Sequence, residues 1–359
     1  MSSDTDESRE RAQITEHHID YAAYTRYPGN YYRIDDTWKA ERFRKLLKVS
    51  INRYERGRDL EIDIFGIAPA IANAYRRIML AEVPTMAIEH CFISNNTSVI
   101  QDEMLAHRLG MIPIKVDPSD FEWKPAAAPV NSTSGAHTII FSLKAKCERL
   151  KDVDADRVGL RENLYKNYRI YSKQMKWHPL SNQVEKLRAK NIKTIRPVHR
   201  NILIAKLSEN QEIDLKCHAV KGIGRDHAKF SPVATVSYRL MPDILLKEKI
   251  TGEPAKRLQQ SFSKGVIELI GDEQEAKVVN ARVDSGSRNI FRHPDLKDKV
   301  KYDLIKDHYI FTIESTGAIS SMDILLSACD ILDEKCQVFL KELELSRSGV
   351  DESTSMVEW

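Results

Sequence analysis

Apolar residues recur along this chain with two different periods, and the changes of period mark out its elements. In the first third, Leu47, Val49 and Ile51 alternate with Lys48, Ser50 and Asn52, and Leu60, Ile62 and Ile64 alternate with Glu61, Asp63 and Phe65. Met86, Ile88 and Phe92 are expected on one face of a third strand. Period two with one polar face predicts a sheet covered on one side, hence antiparallel pairing.

Between the second and third strands the period becomes helical. Ile71, Ala74, Tyr75, Ile78 and Met79 form one continuous apolar stripe, opened by Pro69 and stopped by Pro84, with Arg76 and Arg77 on its flanks. A second, short helix is expected with Asp102 as its cap, Glu103 in its first turn, Gly110 as its terminator and Pro113 beyond.

Residues 117–135 are rich in Pro, Ala and Ser and read as a boundary or long loop. Strand alternation returns in 137–146 and 198–220, where Ile213, Leu215, Cys217 and Ala219 oppose Asp214, Lys216, His218 and Val220. Ala234, Val236, Tyr238 and Leu240 then alternate, as do Tyr309, Phe311 and Ile313. Sequence of the first kind therefore resumes after a sheet-containing module. The expected organisation is a tail (1–37), a first domain in two parts (38–114 and 229–345) interrupted by an insert (115–228), and a C-terminal tail (346–359). The class is α+β. Residues 245–307 are polar with scattered apolar positions, and the pattern assigns little there.

The last periodic segment is the longest. From Ser320 to Arg347 the chain has neither Pro nor Gly, and Met322, Leu325, Cys329, Leu332, Cys336, Phe339 and Leu343 recur alternately three and four residues apart. That is an a/d heptad seam, with Ser320 or Ser321 as cap and Asp323 in the first turn. Ile324, Ala328, Ile331 and Val338 add a second apolar edge. A stripe wider than ~100° needs two surfaces to bury it, so one face can lie on the chain's own sheet while the other meets a partner helix; packing wholly within the chain is the competing reading.

Composition narrows the chemistry. The 359 residues carry 55 basic and 52 acidic side chains, thoroughly mixed, for a formal net charge of +3. A free-standing nucleic-acid binder shows a clustered basic face or a domain pI above ~9, so protein partners fit better, with direct nucleic-acid binding as the alternative function. No apolar run approaches the roughly 20 residues needed to span a bilayer, the mean hydropathy is −0.44, and the N-terminal residues are polar without an apolar segment behind them; an intracellular protein with no membrane partner is expected. Cysteines 91, 147, 217, 329 and 336 form no CxxC pair, which argues against a zinc knuckle and a disulfide framework alike.

Candidate chemistry is sparse. Asp152, Asp154 and Asp156 stand at alternate positions, as carboxylates chelating Mg²⁺ or Ca²⁺ can, but no Gly lies between them and Lys151 and Arg157 flank them; a solvated acidic loop is the plainer reading. Gly222-Ile223-Gly224 precedes Pro232 and a strand rather than a helix, so it reads as a turn and not as a phosphate loop. His218 and His227 have no third ligand nearby. The tyrosine-rich stretch 21–32 either docks on a partner through aromatic rings or packs on its own domain. No catalytic residue, metal or cofactor is expected.

Three long blocks carry a family resemblance. Residues 73–114 (NAYRRIMLAEVPTMAIEHCFISNNTSVIQDEMLAHRLGMIPI) closely resemble the alpha motif of RNA polymerase assembly subunits. Residues 220–242 (VKGIGRDHAKFSPVATVSYRLMP) and 308–336 (HYIFTIESTGAISSMDILLSACDILDEKC) are similar to the return from the insert domain and to the final strand and dimerisation helix in the larger alpha-like subunits of polymerases I and III. ARVDSGSRNIFRHPDL and YPGNYY match as well.

The resemblance implies an alpha-subunit-type dimerisation domain interrupted by an insert domain. It implies a non-catalytic scaffold that pairs with the small alpha-like subunit and forms the platform for the second-largest subunit, with small zinc-binding polymerase subunits as further partners and DNA met only through the complex. Ile71, Ala74, Tyr75, Ile78 and Met79, together with Met322, Leu325, Cys329, Leu332, Cys336 and Phe339, map onto the dimer contact. Arg76 and Arg77 match an arginine pair directed at the second-largest subunit, work that suits the planar guanidinium fork. Location in the nucleus and nucleolus, and support of rRNA, 5S rRNA and tRNA synthesis, follow from the resemblance alone. Two departures stand out. The cysteine clusters that bind zinc or iron–sulfur in related insert domains are missing here, where Cys147 and Cys217 are the only cysteines, and Gly286 stands where the family often has Cys.

Overall fold

The computed structural model describes residues 9–23, 37–150, 164–181, 183–190 and 192–348. Strands β1 (Arg11–Ile14) and β2 (Ile19–Asp20) precede helix α1 (Ala40–Leu46), β3 (Lys48–Glu55), β4 (Asp59–Phe65), helix α2 (Pro69–Ala81), β5 (Thr85–Asn96) and helix α3 (Asp102–Gly110). The short β6 (Ile114–Lys115) is followed by β7 (Ile139–Lys146), β8 (Glu148–Arg149), β9 (Tyr165–Lys166), β10 (Arg169–Tyr171) and β11 (Lys176–His178). Next come helix α4 (Gln183–Ala189), β12 (Arg196–Pro197), β13 (Leu203–Lys206) and β14 (Glu212–Gly222). The chain then runs through β15 (Val233–Leu246), helix α5 (Gly252–Ser261), β16 (Ile267–Ile270), β17 (Glu275–Val278), β18 (Val300–Ser315) and helix α6 (Ser321–Ser348).

These elements make an α+β protein of two compact units. The first comprises Met1–Tyr54, Leu60–Ala74 and Ser237–Thr312. Its sheet runs in the order β2-β1-β18-β4-β3, with β15 also paired to β18. Leu60, Ile62 and Ile64 are buried, as their alternation predicts, while Glu61 and Asp63 are tied by Arg282. A second cluster of buried residues joins Ile14, Ile244, Leu258, Phe262, Val266 and Tyr302.

The second unit comprises Glu55–Asp59, Tyr75–Val236 and Ile313–Trp359. Its main sheet is antiparallel with order β11-β7-β14-β5. Ile213, Leu215, Cys217 and Ala219 of β14 all point into one core, where Leu105 and Leu109 of α3 and Leu187 of α4 cover them. Burial follows the alternation from Ile213 to Cys217, with Asp214 and Lys216 more open, but His218 and Val220 are buried as well, Val220 in a separate cluster with Ala87 and Phe230.

Several expectations need correcting. Residues 11–14, expected within a tail, form a strand that pairs antiparallel with β18, Ala12 opposite Leu304; four residues are too few for a period to show. Phe92 does not share a face with Met86 and Ile88. Ala219 pairs with Ile88 but His218 pairs with His90, so Glu89 is an extra residue whose bulge inverts the parity. Cys91 and Ile93 consequently face the core while Phe92 packs on His218 at 4.6 Å between ring centroids. β5, expected in the first part of the first domain, pairs with β14 from Thr85 to Asn96 and so shares a sheet with strands of the expected insert. Asp102 is the first residue of α3 rather than its cap, which is Gln101. Residues 245–307, left unassigned by pattern, hold α5, the β16–β17 hairpin and the start of β18.

Candidate functional site

Helix α6 carries several exposed apolar residues of the second unit on one element, Leu326, Phe339, Leu340 and Leu343. Ser320 Oγ accepts the amide of Asp323 at 3.1 Å and donates to its carboxylate at 2.6 Å, which fixes the helix start. The amide of Ser321 donates to the carbonyl of Gly57 at 3.0 Å. From there 28 residues run about 42 Å at 1.5 Å per residue.

The two apolar edges of α6 have different fates. Ile324 and Ala328 are fully buried, and Ile331 and Val338 are half-buried. Along the heptad seam, Met322, Leu325 and Leu332 are half-buried, whereas Cys329, Cys336, Phe339 and Leu343 are exposed, Phe339 by 65%. Leu326 and Leu340 add to this open surface. Only the first edge reaches the chain's own core, at Ile324 and Ala328, and only the seam holds fully exposed positions.

Helix α2 begins at Pro69 as expected. Tyr75 lies against Cys329 and Cys336 of α6; burial, reinforced by a hydrogen bond with Cys329, pushes its hydroxyl pKa up to about 12. Ile71, Ala74 and Tyr75 are half-buried. Ile78 and Met79 are buried within the chain, at 3% and 0% exposure, so that part of the stripe is core and presents no surface. A helical stripe does not itself distinguish the turn that faces inward throughout. Arg76 is half-buried and Arg77 exposed.

The sequence reading missed a second open apolar surface, in the first unit. Strand β3 forms where expected, but every one of its residues is exposed, including Val49 and Ile51 at 58% and 56%. Leu47 and Trp38 beside it are exposed as well. β3 is the terminal strand of its sheet, and alternation alone cannot tell an edge strand from an interior one.

The remaining candidates separate. Gly222 ends β14, and Gly224 packs so closely on the end of α2 that a Cβ there would sit 2.3 Å from the Leu80 carbonyl oxygen. The amide of Arg225 then donates to the Ala81 carbonyl at 2.8 Å, so this turn caps a helix. His218 packs on Phe92, whereas His227 accepts the amide of Lys229 at 3.1 Å. Asp152, Asp154 and Asp156 lie outside the described residues, as does most of the tyrosine-rich stretch. Among the described residues no group of three or more His, Cys, Asp or Glu is placed to hold a metal.

Comparison with known proteins gives these surfaces a context. Residues 61–336 match the RNA polymerase Rpb3/Rpb11 dimerisation domain. The chain is 47% identical over 341 residues to the mouse DNA-directed RNA polymerases I and III subunit RPAC1, covering 94% of this chain and 96% of that one. It is 40% identical over 324 residues to the Saccharomyces cerevisiae subunit of the same name, at 90% and 95% coverage. Similarity to the Arabidopsis thaliana subunit 3 of polymerases II, IV and V is lower, 30% over 276 residues covering 74% and 82%. The chain belongs to the alpha-like subunit family of DNA-directed RNA polymerases, in the branch of the larger subunit common to polymerases I and III.

Proposed function

We propose that this protein is a non-catalytic assembly subunit of RNA polymerases I and III, working in the nucleus and nucleolus. It pairs with the small alpha-like subunit through the seam of α6 and the half-buried residues of α2, and the pair forms the platform on which the second-largest subunit is built. Arg77, exposed on α2, and its neighbour Arg76 are directed at the second-largest subunit. Small zinc-binding subunits complete the local assembly, and DNA is met only through the complex. The subunit contributes no group to nucleotide addition; its part in rRNA, 5S rRNA and tRNA synthesis is architectural.

The observation that carries this reading is the unequal burial of the two edges of α6. Ile324 and Ala328 are inside, while Cys329, Cys336, Phe339 and Leu343 stand open on the same helix. Apolar residues aligned at heptad spacing and left exposed have a partner helix as their natural cover, and obligate interfaces of this kind often exceed ~2,000 Å². Co-expression tests it. At the concentrations reached on expression the chain made alone should be poorly soluble or aggregate, leaving only dilute free chain to measure. The small alpha-like subunit should render it soluble, and replacing both Leu325 and Leu332 by Asp should abolish that rescue. Full rescue of the double variant would place the seam inside the chain.

A further inference from the structure

The second unit holds a cavity of about 860 Å³ beside the first turn of α6. Its charged lining is Lys115, Lys193, Arg196 and Lys221 against Asp117 and Asp323. Both carboxylates are already engaged. Asp117 accepts the amide and hydroxyl of Ser119 at 2.9 and 2.6 Å and pairs with Lys190 at 3.0 Å, and Asp323 is held by Ser320.

The cations are not matched in this way. Lys115 and Arg196 stand directly opposite each other in the β6–β12 pair, an arrangement of like charges that costs stability. The side chains of Lys115, Arg196 and Lys193 have no ion-pair or hydrogen-bond partner among the described residues. Lys221 is half-buried; its Nζ donates to the Phe121 carbonyl at 3.2 Å and lies 5.2 Å above the Trp123 ring. Burial holds its pKa below the usual lysine value, with Asp117 opposing. Among the described residues the lining is short of negative charge, and the strand register that sets Lys115 against Arg196 is built into the fold.

The rest of the lining decides between anions. Val83, Val116, Ile192 and Ile319 contribute aliphatic wall, and among the described residues no aromatic ring lines the cavity. Single-stranded nucleic acid is held on aromatic stacking platforms, which the described lining does not offer. Carboxylates flanking an aliphatic anchor match the lining on both counts, and the Arg196 guanidinium is suited to bidentate pairing.

We propose that this cavity docks an acidic segment of another polypeptide of the same assembly, its carboxylates on Lys115, Lys193 and Arg196 and an aliphatic side chain against Ile192 and Ile319. The inference rests on the reading of the chain as a polymerase subunit. It adds a contact made by the β6–β12 wall, apart from the seam of α6.

Photocrosslinking in the intact enzyme tests it. Thr194, an exposed residue of the lining, is replaced by p-benzoylphenylalanine and the polymerase is purified through another subunit. The expected adduct lies in a stretch of clustered Asp and Glu on a neighbouring chain. Its yield should fall about tenfold when Lys115→Glu and Arg196→Glu are combined, since like charges now face each other. Lys115→Arg should preserve it. Where the double variant fails to assemble, the native enzyme decides: raising salt from about 0.1 to 0.5 M should weaken the same adduct. An adduct on nucleic acid, on a segment without acidic residues or on this chain alone overturns the proposal, as does no adduct in an enzyme that contains the chain. Failure of the chain to co-purify with polymerase would instead overturn the subunit assignment.

Discussion

Lys335 on α6 closes on Glu82 just past the end of α2, its Nζ 2.7 Å from one carboxylate oxygen and 2.5 Å from the other. The pair is partly exposed, and such pairs contribute at most about 1 kcal/mol. Beyond it, residues 339–344 are exposed without a break. Isolated helices shorter than ~12–15 residues are marginal in water, so the C-terminal turns of α6 gain little from the chain that carries them. On the proposed reading, a partner surface supplies the stability these turns lack.

The two edges of α6 should therefore separate by mutation. Ile324→Ala empties a fully buried site and should cost the free chain about 2–5 kcal/mol in denaturant unfolding. Phe339→Asp should leave that unfolding within about 0.5 kcal/mol while weakening heterodimer formation by at least ~2 kcal/mol, about thirtyfold in Kd. Titration with the small alpha-like subunit reads the second effect. Equal destabilisation of the free chain by both substitutions would mean that Phe339 is internal.

Thiol reactivity offers an independent reading of the same surface. Cys147 and Cys217 are buried, whereas Cys329 and Cys336 are exposed. In the free chain Cys336 should alkylate at least about tenfold faster than Cys147 or Cys217, because reaction needs an accessible thiolate. Cys329 should lag behind Cys336, since burial raises its thiol pKa even though its hydrogen bond to Tyr75 acts the other way. Heterodimer formation should protect both. Mass spectrometry of maleimide-labelled protein, with and without the partner, checks each step; unaltered labelling of Cys336 in the heterodimer would count against the seam.

Periodicity made α2, α6 and β14 legible because in each the burial pattern is set by the element's own geometry. In β14 Ile213, Leu215 and Cys217 are buried and Asp214 and Lys216 are not, as the alternation predicts, although His218 and Val220 beyond them are buried too. What escaped depends on pairings distant in the chain. The bulge at Glu89 is visible only in the register against β14, and it decides which way Phe92 points. β1 exists because β18 lies nearly three hundred residues later to receive it. In α5 the apolar positions are only Ala255 and Leu258, so a buried face was carried by too few residues to show a period. The width of the α6 stripe was readable, and the side that stays open was not, because that depends on where the sheet lies.

The turn at Gly224 should be intolerant of a side chain. A Cβ there would stand 2.3 Å from the Leu80 carbonyl oxygen and 3.2 Å from the Ala81 Cα, both backbone atoms that no rotamer change can move. Gly224→Ala should destabilise the protein by about 1–3 kcal/mol, the usual range for overpacking. Gly271→Ala is the contrast: φ is +74° but nothing lies within 4 Å, so only the cost of left-handed backbone applies, about 1–2 kcal/mol. The two should also differ in kind. Gly224→Ala should loosen the end of α2, seen as faster amide exchange at Arg225, whose amide donates to Ala81, and Gly271→Ala should leave that exchange unchanged.

The last prediction concerns pH and the first unit. Burial by itself pushes the Asp63 carboxyl up, but Arg282, His308 and Asn52 outweigh it and hold its pKa below the ordinary carboxylate value. Arg282 binds both oxygens of Asp63, at 2.7 and 2.8 Å, and also Glu61; His308 Nε2 stands 3.1 Å from Asp63 Oδ2. A pKa lower in the folded than in the unfolded chain means that the unfolded state binds the proton first. The stabilisation is therefore present above the unfolded value, near ~3.9, and drains away as pH falls through the folded one. Denaturant midpoints measured from neutral pH downward should fall steeply through that window. Asp63→Asn should remove part of this slope while lowering stability at neutral pH by about 3 kcal/mol, the lower end for a broken buried pair because Glu61 still holds Arg282. A variant as pH-sensitive as the native chain would place the acid response in other carboxylates.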